Sequence, residues 1–307
     1  MTIQNNVNVK LVYGAESTFG TASAAAGQLL RRVSSTLALS KDVFASNEVR
    51  PDQQVADSRH GVKRVSGAIS GELSTSTWDD FFAAVLRTTW ASDKLVPGTA
   101  RPSFTIEENH PDLDISMLYK GCRIGEVGVS LPPTGIATVN WNIMGQDMAL
   151  SSGAGAPVFV SPTAATTRGV LDAVNGTLEV QGAGSAIVTG LDFTINNNLS
   201  SQPVVGSNKV PEIFFGRFIV TGNLTAFFDS VTMLNYFINE TEITLKALLN
   251  DLNGTNSLSF KFGRVKLNGG SKTIGPDGGV ILQSPFQAIY ASSVSGFDDG
   301  TMSIVRV

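Results

Sequence analysis

YKGCRIGEVGVSLPPTGIATVNWNIMGQDMAL, residues Tyr119–Leu150, occurs twice in this chain. Sliding it forward by 141 residues without a gap lays it on Phe260–Ala291. Lys120 then falls on Lys261, Arg123 on Arg264, Ile124 on Val265, Gly128 on Gly269, Val139 on Val280 and Gln146 on Gln287. Upstream, Gly61–Phe82 lies on Gly216–Phe237 at an offset of 155, matching Gly61, Val65, Gly67, Thr77 and Phe82 to Gly216, Val220, Gly222, Thr232 and Phe237. The matches number 6 of 32 positions and 5 of 22, several-fold above chance pairing, and both blocks keep their order, which indicates an old tandem duplication. The offset falls from 155 to 141 because the first copy carries 14 extra residues, expected in a surface loop at about residues 91–118.

Each block predicts a long hairpin. In the first, Cys122–Leu131 and Ile136–Gln146 are strands joined by Pro132-Pro133-Thr134-Gly135. In the second, Ile274–Gly279 plays the same part between Arg264–Leu267 and Val280–Tyr290. The polar and apolar alternation of Val33–Leu39 and of Val62–Leu73 reads as two further strands, with Leu191–Ile195 as the later counterpart of the first. Thr77-Trp78-Asp79-Asp80 has the form of a capping box and opens a helix. Trp78, Phe81, Phe82 and Val85 then recur at i, i+3, i+4 and i+7 as an apolar stripe that must bury against a sheet, and Met233, Tyr236 and Phe237 fall on its first three positions in the second copy. Phe104–Ile106 reads as a short strand.

These elements predict a mainly β chain in which strands and one helix recur in two tandem copies. The divisions are an N-terminal arm at 1–30, a first domain at 31–150, a linker and small hairpin at 151–185, and a second domain with a C-terminal arm at 186–307. The arm reads either as a frayed terminus or as a segment ordered by a neighbouring subunit. Ser151–Thr167, rich in Ser, Gly, Ala and Thr, is the linker. Between two strands, Asp42–Gly61 is dense in both charge signs, either as a solvated hairpin or as a charge-matched contact with another subunit.

Composition narrows the function. Hydrophobic residues make up 42% of the 307 and charged residues only 16%, less charge than a solitary soluble domain normally displays, which hints at buried subunit surface. A net charge of −4 without a basic cluster gives no footprint for gripping nucleic acid. The single Cys122 excludes an intrachain disulfide framework. No apolar run is long enough to span a membrane, and the opening Met-Thr-Ile-Gln-Asn-Asn is not a secretory leader, so the product is expected in the cytosol when made.

Catalytic signatures are missing. His60 and His110 are the only histidines, neither lies near a nucleophile motif, and His110 has no second ligand at metal spacing. Gly182–Gly184 and Gly269-Gly270 lack the Lys-Ser/Thr and following helix of a phosphate cradle. The adjacent carboxylates Asp79–Asp80, Glu107–Glu108 and Asp298–Asp299 read as helix caps and solvated loops. No enzyme, cofactor or metal is predicted.

In order and joint presence, several idioms resemble the tail tube proteins of long, flexible-tailed bacteriophages. They are Arg50–Gly61, the Gly67-to-Trp78 strand-helix join, Tyr119–Arg123, Leu131–Gly135, Gly145–Met148, Val205–Asn208 and Pro211–Ile213, and they span roughly residues 30–292. The resemblance implies a structural virion protein, made in the host cytoplasm, whose subunits form stacked rings around a channel for the genome and the tape-measure protein, closed off by a tail terminator. It also implies two tandem β-sandwich or barrel-like tail-tube domains, each with one packed α-helix, whose inner sheets continue across subunits into a closed barrel, which removes exposed edges. DNA is expected to pass without specific binding, through a neutral to acidic lumen.

With the repeat, the resemblance predicts trimeric rings of pseudo-six-fold symmetry, the alternative being hexameric rings. Loop residues Asn47, Glu48, Arg50, Asp52, Asp57, Arg59 and His60, with Asn208, Glu212 and Arg217 in the counterpart loop, are expected at contacts between subunits or rings. A virion-surface β-sandwich that recognises carbohydrate or a receptor is the other reading. It expects aromatics on exposed loops, whereas most here lie in strand and helix stripes.

Overall fold

The computed structural model describes residues 3–184, 188–274 and 278–306. In the first half the strands are β1 (Lys10–Ala15), β2 (Gln28–Leu29), β3 (Ser34–Ser35), β4 (Ala38–Ala45), β5 (Ser58–Glu72), β6 (Lys94–Leu95), β7 (Phe104–His110), β8 (Ile115–Leu131), β9 (Thr138–Gly145) and β10 (Asp147–Ser152), with helix α1 (Asp79–Val85) after β5. The second half holds β11 (Asp172–Val180), β12 (Ala183–Gly184), β13 (Val188–Asn196), β14 (Ser200–Ser201), β15 (Ile213–Phe214), β16 (Ile219–Phe227), β17 (Ile243–Asn250), β18 (Ser257–Leu267), β19 (Ser271–Thr273), β20 (Ile281–Ala288) and β21 (Ser303–Arg306), with α2 (Thr232–Ile238) after β16.

The fold is mainly β and antiparallel. One long sheet runs through both halves in the order β4–β5–β9–β8–β13–β16–β20, with β3 beside β5 and with β18 and β19 along β20. Its rows alternate strictly. Ile69, Trp141, Val127, Ile195, Val220, Ala288 and Val265 stand opposite one another from strand to strand, and none is more than 4% exposed. The neighbouring row, Ser34, Ser70, Asn140, Gly128, Thr194, Thr221, Gln287 and Lys266, is polar apart from one glycine and lies on the other face. A one-residue slip would turn the first row to solvent, so burial fixes the register.

Each half adds a second layer. Residues 115–122 of β8 leave the long sheet and pair with β7 and β10, giving the order β2–β1–β7–β8–β10. The early part of β18 does the same with β17 and β21, giving β12–β11–β17–β18–β21–β6. Helix α1 fills the space between the layers of the first half. The Phe81 ring lies 5.0 Å from Tyr13 on β1, 5.5 Å from Phe104 on β7 and 5.5 Å from Trp141 on β9. Trp78, Phe81, Phe82 and Val85 are all buried.

The repeated glycines have one physical reason. A Cβ at Gly67 would lie 2.4 Å from the carbonyl oxygen of Thr36, and one at Gly222 would lie 2.4 Å from that of Asp192 on the corresponding strand. Backbone approach therefore excludes a side chain at both. The copies differ in register all the same. Val65 pairs with Gly145, but Val220 pairs with Ala288 rather than Phe286, the residue 141 beyond Gly145. This two-residue shift keeps every side chain on its face, which is how a gapless match survives it.

Several expectations are corrected. The N-terminal segment is not a frayed arm: Leu11, Val12 and Tyr13 of β1 are buried and the strand lies between β2 and β7. A strand covered on both faces shows no alternation to read. The capping box does not form, because the Thr77 hydroxyl bonds to Ser74 (2.6 Å) and Asp80 accepts from the Tyr13 hydroxyl (2.9 Å).

Only the first part of the stretch 91–118 belongs to the insertion, since from Phe104 onward β7 and the start of β8 form a hairpin. The extra residues lie between α1 and β7, as the 18 residues 86–103 against the four residues 239–242 between α2 and β17, a difference of 14. Part of this insertion, β6, pairs with β21, and Lys94 reaches Asp298 at 2.5 Å, so it ties the two halves together. Ser151–Thr167 is no free linker either, since Phe159 is 3% exposed and its amide donates to buried Glu107.

The small hairpin, expected as 176–181 with 186–191, joins β11 to β12; residues 185–187, where its second strand is expected to begin, and 275–277, in the expected turn Ile274–Gly279, lie outside the described residues. Finally, Phe237 is 39% exposed and α2 contains no buried residue, although Met233 and Tyr236 are half-buried. Met233 and Tyr236 pack against the core while Phe237 stays partly exposed, so among the described residues only part of the α2 stripe joins the core.

Candidate assembly surfaces

The long sheet ends in two unpaired edges. Among the described residues, no strand pairs with the outer side of β4 or of β19. Backbone N–H and C=O groups along such an edge are a template for another strand. Neither edge is blunted by proline, and the described residues of one chain form no closed barrel.

Beyond the sheet, β4 and β5 extend as a protruding hairpin. Its tip carries Asn47, Glu48, Arg50, Asp52, Asp57, Arg59 and His60, all exposed. Arg50 pairs with Asp52 (2.9 Å) and Arg59 with Asp57 (2.9 Å), which fixes charge within the tip. Between them stand Val43, Phe44, Val49 and Val55, 61%, 62%, 95% and 69% exposed. Several large apolar side chains on one projecting arm mark a contact surface.

The counterpart segment, 197–218 between β13 and β16, behaves differently and does not project. It folds back over the first half. Lys209 reaches Asp147 at 2.5 Å, and the same carboxylate lies 3.2 Å from Lys63 and 3.9 Å from Lys120. Burial pushes the Asp147 carboxyl up, but the hydrogen bonds from Lys209 and Lys63 outweigh it and hold the group below the usual carboxylate range.

Glu212 pairs with Arg123, which is 3% exposed, donates to the Ile213 carbonyl and stacks under the Phe19 and Phe215 rings. The Asn208 carbonyl accepts from the Lys63 amide (2.9 Å), and the Arg217 carbonyl accepts from Asn198 (2.7 Å). Asn208 and Glu212 are thus engaged inside the chain, because buried Arg123 and the lysine cluster need partners. Sequence reading missed the Asp147 cluster. Its four members come from β5, β8, β10 and the 197–218 loop, and no local spacing links them.

The open face of the long sheet is the third surface. In the three rows from Ala68 to Glu72 the acids are Glu72, Glu126 and Asp192, and the one base is Lys266 at the far strand. Glu126 accepts from Asn142 (2.9 Å) and Asn196, and Asp192 accepts from Ser130 (2.5 Å). Serine, threonine and asparagine dominate the remainder.

No group of three or more His, Cys, Asp and Glu side chains among the described residues is arranged to hold a metal ion. Burial, with Glu16 nearby, pushes the Cys122 thiol well up, which makes it an unreactive packing residue. No described helix is long and apolar enough to cross a membrane.

No curated protein matches the chain. The sheet with two free edges, the projecting hairpin and the open polar face describe a subunit built to associate, and a family model described as phage tail tube protein matches residues 6–288. The chain belongs to the phage tail tube protein family, and its role is that of a structural component of the virion tail that assembles into the tube.

Proposed function

We propose that three copies of this chain close a ring of pseudo-six-fold symmetry, with the two halves of each chain as tandem domains, and that the rings stack into the tube. The observation that carries the proposal is the pairing of β8 with β13, by which the first half joins the second edge to edge in one sheet. The free edges of that sheet are the counterparts of the joined ones.

Ala38 pairs with Ser66, and Thr194 pairs with Thr221, which is Ser66 plus 155. Gly128 pairs with Asn140, itself opposite Ser70, while Ser271 pairs with Gln283, itself opposite Thr225, which is Ser70 plus 155. Because Thr194 pairs with Gly128 inside the chain, Ala38 of one chain faces Ser271 of the next. Closing the sheet this way leaves no edge exposed.

The open face then lines the channel. The balance of three acids to one base in its rows from Ala68 to Glu72 offers DNA and the tape-measure protein a surface without the phosphate contacts that would retain DNA. The β4–β5 hairpin, with Asn47, Glu48, Arg50, Asp52, Asp57, Arg59 and His60, reaches the next ring, a head-to-tail contact that propagates into a filament. A tail terminator ends the tube. The function is structural, with no catalytic step.

The interchain register is tested with Ala38→Cys combined with Ser271→Cys. Both positions are exposed on the open face, and residues opposite each other in antiparallel strands lie about 4.5–5.5 Å apart, within disulfide reach. Oxidised tubes are expected to give covalent dimers and trimers on a non-reducing gel. Tubes whose chains stay uncrosslinked would overturn the register.

A further inference from the structure

We infer that the exposed apolar side of α2 is a second intersubunit contact, covered by the Met117–Leu150 patch of the neighbouring chain. The inference rests on the ring reading above and adds a contact which that reading does not require.

Its template is the cover over α1. Three groups of the second half reach that helix. The Phe260 ring lies 5.9 Å from Phe82, the Asn197 amide donates to the Val85 carbonyl at 2.9 Å, and Arg306 pairs with Asp79. Helix α2 follows β16 as α1 follows β5, yet Val231, Phe237 and Ile238 are 61%, 39% and 69% exposed. The helix that is covered inside the chain has a counterpart whose outer side, with Val231 and Ile238, stays open among the described residues.

The cover has a counterpart too. Ile124 and Leu267 are equivalent through their pairings, since Ile124 faces Ile143 and Gly67 while Leu267 faces Phe286 and Gly222. Seven residues back along the same strands stand Met117 and Phe260. Phe260 pairs across to Ile304 and both are 0% exposed, whereas Met117 pairs across to Leu150, which is 65% exposed. A ring made by repeating the internal arrangement carries the exposed Leu150, beside half-buried Met117, of one chain onto the open side of α2 in the next. Two apolar patches then bury each other, the arrangement expected at the desolvated centre of a stable interface.

Charge substitution tests this. Ile238→Asp and Leu150→Asp lie at exposed positions, so each monomer should melt as the wild type does. In tubes each places an unpaired carboxylate in the contact, and the protein concentration needed for assembly should rise by about tenfold or more. Ile238→Asp combined with Leu150→Lys should recover assembly. Wild-type assembly by Ile238→Asp would overturn the contact while leaving the ring reading intact. Loss in both single variants without recovery in the charge pair would overturn Leu150 as the partner. A wild-type chain that stays monomeric would overturn the ring reading, and this contact with it.

Discussion

Replacing Phe82 with alanine lowers the unfolding free energy of the monomer by about 3–5 kcal/mol, as truncation of a fully buried aromatic does. Phe82 is 1% exposed and lies where the halves meet, with its ring 4.9 Å from Trp141 and 5.9 Å from Phe260. A cavity there cannot be filled from one side, because the long sheet and the second-half strand are both held by their own ladders. Phe237→Ala should cost no more than about 1 kcal/mol in the monomer, since its side chain is partly exposed and no residue of α2 is fully buried. Denaturant unfolding of the two variants side by side checks this. Equal losses would contradict the difference between the helices.

Shortening the β4–β5 hairpin, by replacing residues 47–56 with a two-residue Asn-Gly turn, should abolish tube formation and leave the monomer folded. The strands themselves continue to Ala45 and from Ser58, and the removed tip contributes no residue to the core. Its one ion pair, Arg50 with Asp52, is exposed and local, and such a pair contributes little to stability. What the deletion removes is the arm that reaches the next ring. Negative-stain images with no tubes, beside a thermal melt like that of the wild type, are the expected pair of results. Normal tubes from the shortened chain would show that the hairpin is only a solvated loop.

Much of the long sheet is legible in the sequence because one of its faces is core and the other is open. Val127, Val129, Val139, Trp141 and Ile143 alternate with polar residues, and the glycines at 67 and 222 mark equal backbone approaches. The second layer is much less legible. Leu11, Val12 and Tyr13 are consecutive and all buried, and β7 carries Glu107 at 0% exposure, held by Ser116 and the amides of Val158 and Phe159. A buried acid satisfied by distant donors reads as surface until the fold is known.

The α2 stripe shows a different failure. Its spacing is real, but nothing in this chain covers all of it, so periodicity alone could not say where burial occurs. The assembly surfaces divide along the same line. The charged hairpin stands out in composition, whereas the Asp147 cluster and the fold-back of residues 197–218 depend on contacts between segments far apart in sequence.

The central claim is that the junction of β8 with β13 inside the chain is repeated between chains. Rotational symmetry in averaged cryo-electron images of the tube tests it most directly. Three-fold rings with two distinguishable halves per chain, and a wall in which β19 of one chain lies beside β4 of the next, are predicted. Rings of six identical chains, or a gap in the wall at that edge, would contradict it.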